Sequence, residues 1–456
     1  MPRRTPHPRV TNAGCDLTLP PRLRLTARQA AVYTALLLWV AFEVARSVQR
    51  AELVVFSGYV TLGNAVLQGA DPYSARFTDY PPLNTWPPFF GFVAAALALL
   101  ARLSLPGALL LWQLGSVWAL WGAIRLLARF FEEGGDRLTF FPSATTPDQL
   151  SFVSAAVLVP VLLSARLLQE HLQHTQVNIL LLFLVLFAFH RFRTGREAAG
   201  GLSLALAASL KAVPILFVPY LVYKRAWRAA AWTVGFLLIL NVVLPAAAFG
   251  PEPAARQWGA WRALSGRELA QPTPHHYNQS LLAALKRLLT AEGGARDPVR
   301  YAVAAWPTAR ATQLFAVVAV LGALGLAVAF RRHPPGLRDR SAAAELAICL
   351  PASTLVTPLA WKAHFVTLLA GYWFVWWALG RLPPGKSRRW RLGLLWLSVG
   401  LLTLSAPALV GKRATGVLES LNAITLGALI VVGLGVSLLS PLRRQTPASS
   451  AAPTRP

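Results

Sequence analysis

Two carboxylates lie eight residues apart in an aromatic, proline-rich stretch after the first apolar segment. Asp71 stands in an Asp-Pro-Tyr turn, and Asp79 precedes Tyr80, a candidate substrate contact. Residues 53–90 are too polar to cross a bilayer, and a carboxylate held at the interface of an apolar protein is a candidate general base. Asp79 is the leading candidate and Asp71 and Glu52 are alternatives, although capping of a turn explains Asp71 about equally well.

Lys211 is a candidate phosphate-binding residue within the apolar run LALAASLKAVPILFVPYLV. A lysine this deep in a membrane segment costs roughly 3 kcal/mol, so it needs a functional or structural reason. The compact charge of an ammonium suits a phosphate group. Snorkelling of the side chain to an interface, at a helix break nearby, is the alternative explanation.

Two further polar groups flank apolar runs. Gln176 and Asn178 open one run and are candidate substrate contacts, with backbone capping as the alternative. His364 and Lys362 lie between two other runs and are candidate partners of a donor phosphate, where either would assist Lys211. An interfacial belt of tryptophan and lysine explains Trp361 better than it explains His364.

The composition predicts an all-α polytopic membrane protein, because 55% of the 456 residues are hydrophobic and only 14% are charged. About twelve apolar runs approach the roughly 20 residues that a spanning helix needs. We predict a basic cytoplasmic arm at 1–29, a transmembrane domain at 30–440 and a disordered cytoplasmic tail at 441–456. Two long outer loops fall at about 48–86 and 251–307, and residues 58–68 predict a short interfacial helix in the first of these.

The formal net charge of +26 is distributed in clusters between the apolar runs. This pattern marks cytoplasmic loops and contact with anionic membrane lipids, and it argues against nucleic acid as a partner. Both termini are then cytoplasmic. The loop with Arg191, Arg193 and Arg196 is an exception, because it would lie on the outer side if every segment from 87 to 190 crossed the membrane once. Either one segment of 87–190 does not cross, or residues 199–223 form two half-helices broken near Lys211 and Pro214.

The sequence holds no nucleotide-binding Gly-rich loop, no HExxH and no nucleophile elbow, so a nucleotide-driven pump is not expected. Neither a cofactor nor a metal is expected, because no cluster of metal ligands is evident. The second outer loop contributes His276 and Asn278 as candidate substrate contacts. Long outer loops joined to short inner ones place the chemistry on the outer face.

At these residues the chain resembles the GT-C-type glycosyltransferases, and within them glycosyltransferase family 87, the polyprenol-phosphate-mannose-dependent mannosyltransferases. The resemblance covers nearly the whole membrane region and rests on short patterns in the right order: Gly69-Ala70-Asp71-Pro72-Tyr73 with Tyr80-Pro81-Pro82, Gln176-Val177-Asn178, Ala207 to Pro214, Asn278-Gln279-Ser280, and Pro358-Leu359-Ala360-Trp361 with His364.

The resemblance implies a twelve-helix GT-C fold in the bacterial plasma membrane with its active site at the outer face. It also implies a polyprenyl-phosphate sugar donor, with mannose as the expected sugar, a lipid or glycan acceptor, and inversion at the anomeric carbon. The chain departs from the family pattern at Phe56, where an aspartate base is usual, at Thr175, where glycine is usual, and at His364, which replaces a histidine pair. A lipid or sugar-lipid flippase and a non-catalytic lipid-sugar-binding relative are the alternatives.

Overall fold

The computed structural model describes residues 26–49, 55–73, 86–140, 150–270, 275–291 and 297–443. In these residues the fold is all-helical, apart from one isolated β-bridge between Thr139 and Ser151. The first half contains α1 (Ala27–Gln49), α2 (Val55–Leu67), α3 (Phe90–Leu103), α4 (Leu105–Phe131), α5 (Ala155–Leu163), α6 (Ala165–His174), α7 (Asn178–Arg193), α8 (Glu197–Leu210) and α9 (Phe217–Tyr223). The second half contains α10 (Trp227–Leu238), α11 (Leu244–Phe249), α12 (Pro251–Ala270), α13 (Leu281–Leu289), α14 (Thr308–Phe330), α15 (Arg340–Leu355), α16 (Leu368–Gly380), α17 (Lys386–Thr403), α18 (Pro407–Ser420) and α19 (Ala423–Arg443).

Several helix starts are set by capping side chains in the local sequence. The Ser104 hydroxyl accepts a hydrogen bond from the Gly107 backbone N–H at the start of α4. The Ser280 hydroxyl does the same for Ala283 at the start of α13. A serine at this position satisfies one of the backbone donors that a first helical turn leaves unpaired. These boundaries therefore follow from short-range sequence.

In the described part of the chain, five helical segments are long and apolar enough to cross a membrane, and two bent helix pairs raise the number to seven. The pair α5 and α6 bends by 58°, and the pair α17 and α18 by 89°. The predicted number of twelve spans is not confirmed, because several apolar runs of the sequence fold as helices of 10–17 residues. Hydropathy alone does not show where such a run breaks. The helix predicted at 58–68 is present as α2, and its place on the membrane face stays a prediction.

The helix α14 exposes apolar side chains along most of its surface. Val317, Val320, Leu321 and Leu324 are each more than half exposed. So much exposed apolar surface is unfavourable in water and is typical of a helix that faces lipid. The fold thus fits a polytopic membrane protein.

Residues 197–223 form two half-helices and do not cross as one span. The helix α8 ends at Lys211, whose backbone is extended with φ −158° and ψ 127°. A short 3₁₀ turn with Pro214 in its first turn follows, and α9 then runs back. The Glu197 carboxylate pairs with the Arg228 guanidinium at 3.1 Å, so the chain returns to the side from which it entered. Lys211 is at the apex of this helical hairpin.

The hairpin brings the clustered arginines to one end of the fold. Arg193, at the end of α7, interacts electrostatically with Asp339 and Arg340 at the start of α15. Arg381, which follows α16, interacts with Glu132 at the end of α4. We call this the basic end. The sequence left two explanations for the basic residues at Arg191–Arg196. The structure agrees with the second one, in which two half-helices are broken at Lys211.

Burial and charge together set the pKa of Glu132 at the basic end. Removal of its carboxyl from water raises the pKa, and the charges of Arg381 and Arg340, with a hydrogen bond from Trp373, reduce that rise without cancelling it. The pKa of Glu132 is therefore above its ordinary value.

Candidate active site

Asn178, Lys211 and His364 meet at the end of the fold opposite the basic end. The Lys211 side-chain nitrogen, Nζ, lies 3.1 Å from Asn178 Oδ1 and 2.7 Å from His364 Nε2. Asn178 begins α7, Lys211 is the apex of the hairpin, and His364 lies in the 3₁₀ helix Lys362–Thr367 before α16. Three separate elements thus converge on one polar cluster, which we call the lysine cluster.

A small pocket opens from the lysine cluster between α7, α8, α9 and α15. Its walls are apolar at Leu182, Val185 and Phe217 and carry hydroxyl groups at Thr354 and Thr357. An apolar pocket with a few convergent polar groups is the usual form of a small-ligand site. In this pocket the polar groups come from the lysine cluster and the α15 hydroxyls.

Thr175 closes the turn that positions Asn178. Its backbone is left-handed with φ 53°, a conformation that costs energy for a β-branched residue and favours glycine. Its hydroxyl donates to the His174 carbonyl, and the same oxygen accepts from the backbone N–H of Phe56 at 3.1 Å. The two departures from the family pattern, at Phe56 and at Thr175, therefore contact each other directly.

Phe56 is fully buried and packs against the rings of Tyr59 and Trp112. The position where the family usually places its aspartate is thus occupied here by an apolar side chain in an aromatic cluster. A base at position 56 is excluded by residue type, and any carboxylate base must come from elsewhere in the chain.

Lys362 lies in a second cluster of buried charges. Its Nζ is 2.7 Å from Glu419 Oε1 and 3.5 Å from Glu170 Oε1. Glu170 also pairs with Arg166 at 2.6 Å, and the Glu419 side chain is fully buried. The structure therefore supplies Lys362 with two carboxylate partners, whereas Lys211 forms no ion pair within the described part of the chain. The predicted role of Lys362 at a donor phosphate stays a prediction.

Asn278 connects the second outer loop to the loop before His364. Its side-chain amide nitrogen donates to the Pro358 carbonyl, and its oxygen accepts from the Ala360 and Ser280 backbone N–H groups. The two sequence patterns around Asn278 and Pro358 thus meet in space. Asn278 supports the backbone beside the lysine cluster, and its predicted contact with substrate remains untested.

His276 bridges two buried carboxylates. Its Nδ1 lies 3.2 Å from Asp297 Oδ1, and its Nε2 lies 3.8 Å from Glu419 Oε2. Burial acts to raise the pKa of Asp297, but hydrogen bonds from His276 and the charge of Arg287 outweigh burial, and the pKa is below its ordinary value. His275 lies beside this pair, and the three side chains are close enough to hold a metal ion.

The chemistry of these donors does not require a metal. Arg287 and Lys362 already supply positive charge to Asp297 and Glu419, and Asp297 Oδ1 already accepts two hydrogen bonds from His276. We derive no step through a metal ion.

Of the other predicted site residues, the structure describes Gln176 and Asp71 but not those at 52, 79 and 80. The Gln176 side chain is buried, and its backbone N–H donates weakly to the His171 carbonyl at 3.4 Å. Asp71 is exposed, and its Oδ1 accepts from the Tyr73 backbone N–H at 3.0 Å, as in the turn that the sequence predicted as an alternative. Glu52, Asp79 and Tyr80 lie outside the described residues.

The sequence reasoning missed the buried ionisable residues of α6 and α18. His171 is fully buried beside the lysine cluster and interacts electrostatically with Lys211 and His364. Glu170 and Glu419 hold Lys362. A usable signal was present, since Glu170 and Glu419 are acidic residues next to apolar runs in a chain with only 18 Asp and Glu residues.

The fold and the site define a helical membrane protein with a buried lysine, histidine and amide at the mouth of a small pocket. A sequence model of glycosyltransferase family 87 matches residues 84–358, which is more than half of the chain. The chain belongs to glycosyltransferase family 87. The resemblance predicted from the short motifs is thereby confirmed.

A curated relative is named as a polyprenol-phosphate-mannose-dependent α-(1-2)-phosphatidylinositol pentamannoside mannosyltransferase of Mycobacterium tuberculosis. It is 27% identical over 300 residues, which cover 65% of this chain and 59% of the relative. The match therefore spans less than two thirds of that relative's length. No solved structure is significantly similar to this chain.

Proposed function

We propose that this protein is an inverting membrane glycosyltransferase that moves a sugar, with mannose as the expected one, from a polyprenyl-phosphate donor to a lipid or glycan acceptor. The family and the name of the relative support this class of donor. The observation that carries the proposal is the lysine cluster, where Lys211 meets Asn178 and His364 but no carboxylate within the described residues. Lysine and histidine together suit a phosphate ligand.

In the proposed reaction the acceptor hydroxyl oxygen attacks the anomeric carbon on the face opposite the phosphate. The bond from that carbon to the phosphate oxygen breaks, and its electron pair leaves with the phosphate. Asp79 takes the hydroxyl proton, with Asp71 and Glu52 as alternative bases. Lys211 and His364 stabilise the negative charge on the departing phosphate, which is the largest contribution that this site offers to the rate.

Replacement of Lys211 tests the proposal. Lys211→Met should remove donor binding or turnover while the protein still inserts and folds, since the substitution deletes the nitrogen that would face the donor phosphate and breaks no ion pair among the described residues. Lys386→Met, at an exposed residue of the basic end, is the matched control. Sugar transfer from a polyprenyl-phosphate donor is measured in membranes that contain each variant. Wild-type rates for Lys211→Met would reject the phosphate role.

We place the lysine cluster at the outer face of the bacterial plasma membrane and both termini in the cytoplasm. The clustering of arginines at the basic end supports this orientation. Reporter fusions after Arg228 and Arg340 should report the cytoplasm, and a fusion near Gly266 should report the outer side. A signal from the outer side at Arg340 contradicts the orientation.

A flippase is the second candidate, because a helical hairpin broken at the membrane interior is common at transporter binding sites. Phe56 favours a non-catalytic relative, because the usual aspartate is missing. A donor assay separates the glycosyltransferase from both of these candidates, since only the glycosyltransferase joins the sugar to an acceptor.

A further inference from the structure

The hydrogen bonds around His364 assign its tautomer. Its Nδ1 accepts from the backbone N–H of Trp361 at 3.2 Å. A ring nitrogen that accepts a hydrogen bond carries no proton, so the neutral imidazole carries its proton on Nε2. The carbonyl of Leu359 also lies beside the ring. If Nδ1 held the proton, the Trp361 N–H would face another N–H.

This tautomer determines which protonation state of Lys211 fits the hydrogen bonds of the lysine cluster. His364 Nε2–H points at Lys211 Nζ over 2.7 Å. An ammonium group has three donors and no acceptor, so a charged Lys211 would place two donors against each other. A neutral amine has a lone pair that accepts from Nε2–H, and one of its own N–H groups donates to Asn178 Oδ1 at 3.1 Å. The neutral amine therefore satisfies every bond of the lysine cluster.

The surroundings of Lys211 favour the same state. Among the described residues the ionisable groups facing it are His364 and His171, and the pocket wall contributes the hydroxyls of Thr354, in α15, and of Thr357, just after that helix. Within the described residues none of the packed elements brings a carboxylate to it. Lys362, in contrast, is also largely enclosed, with 11% of its side chain exposed, but its Nζ lies 2.7 Å from Glu419 Oε1. A buried ammonium without such a partner is costly and tends to lose its proton.

We propose that Lys211 rests as a neutral amine hydrogen-bonded to His364 and becomes an ammonium when the phosphodiester of the donor enters the pocket. Donor binding then takes up one proton from solvent, and the new charge matches the single negative charge of the phosphodiester. In the bound state His364 Nε2–H turns from the amine to a phosphate oxygen. The inference rests on the proposed function, because it needs the donor phosphate to bind at the lysine cluster.

The test uses a prenyl methyl phosphodiester, whose one negative charge does not change with pH. Its binding to the full-length protein in detergent is measured by titration calorimetry from pH 6 to pH 9, in two buffers with different ionisation enthalpies. At the alkaline end we expect uptake approaching one proton per bound probe, and an affinity that falls towards tenfold per pH unit. Lys211→Arg keeps a cation that does not lose its proton, so its binding should show neither effect.

The outcomes separate the inference from the proposed function. Equal affinity at all pH values without proton uptake in the wild-type protein shows that Lys211 is already charged, and it overturns the inference while the phosphate site stands. Failure of the probe to bind at any pH contradicts both the inference and the proposed phosphate site. Should Lys211→Arg not fold, the two-buffer titration of the wild-type protein decides alone. Lys386→Met should reproduce the wild-type proton uptake.

Discussion

Removal of the Lys362 charge should destabilise the protein through the carboxylates that it holds. Lys362→Met leaves Glu170 with Arg166, but among the described residues it leaves the fully buried Glu419 with no closer ion-pair partner than His276 at 3.8 Å, and Arg287 acts on it from further away. Breaking a buried ion pair by removing one partner costs about 3–5 kcal/mol. Unfolding entropy of about 2.1 cal/mol/K per residue, over 456 residues, converts this to a fall in Tm of about 3–5 °C.

A second substitution separates charge from packing. Lys362→Met with Glu419→Gln should recover a large part of the lost stability, because residue 419 then holds no buried charge. Arg256→Met is the matched control, since its partner Glu252 is exposed and such a pair contributes at most about 1 kcal/mol. Tm is followed by tryptophan fluorescence of the purified proteins. A Tm for Lys362→Met equal to that of Arg256→Met refutes the reasoning, and loss of donor binding at unchanged Tm would favour the phosphate role instead.

Three further predictions concern the base, a close helix contact and pH. Asp79→Asn should lower turnover by roughly 100-fold, because the amide cannot take the acceptor proton. Asp71→Asn should cost about 1 kcal/mol of local stability and change the rate little, because Asp71 accepts a hydrogen bond from the Tyr73 N–H. Glu52→Gln is assayed beside them, and full activity of all three variants excludes a carboxylate base in this loop. Gly63→Ala should lower the free energy of unfolding by about 1–3 kcal/mol, because the new methyl group would lie 2.0 Å from the Ala94 carbonyl oxygen of α3. At Gly115 a methyl group meets open space, so Gly115→Ala is the control and should not lower Tm. Equal Tm values for the two variants contradict the prediction. The lowered pKa of Asp297 stabilises the folded protein above the unfolded-state pKa of about 3.9, and this stabilisation is lost as pH falls through the lower folded-state pKa. Asp297→Asn should therefore lose less stability than the wild-type protein between pH 5 and pH 3, as measured by urea unfolding. The same pH dependence in both proteins contradicts this prediction.

Residue types and their spacing were enough to predict the helical class, the chemistry available and the family. Long apolar runs fix helices because a buried backbone must satisfy its own hydrogen bonds, whatever lies beside it. Lys211 was identifiable because a charge in an apolar run is costly. The break beside it was identifiable as one of two alternatives, since Pro214 cannot continue a helix from the preceding turn.

Which of these residues meet depends on long-range packing and could not be predicted from the sequence. Lys211 and His364 are 153 positions apart, and Phe56 and Thr175 are 119 apart. Local periodicity holds no information about such distances, because they depend on how the half-helices α8 and α9 fold back against α7 and α15. The same holds for Lys362: the sequence showed a cation near an interface, and the packing of α6 and α18 supplied its two carboxylate partners. Electrostatic roles depend on these partners, so residue type alone could not separate Lys211, which forms no ion pair with any described residue, from the ion-paired Lys362.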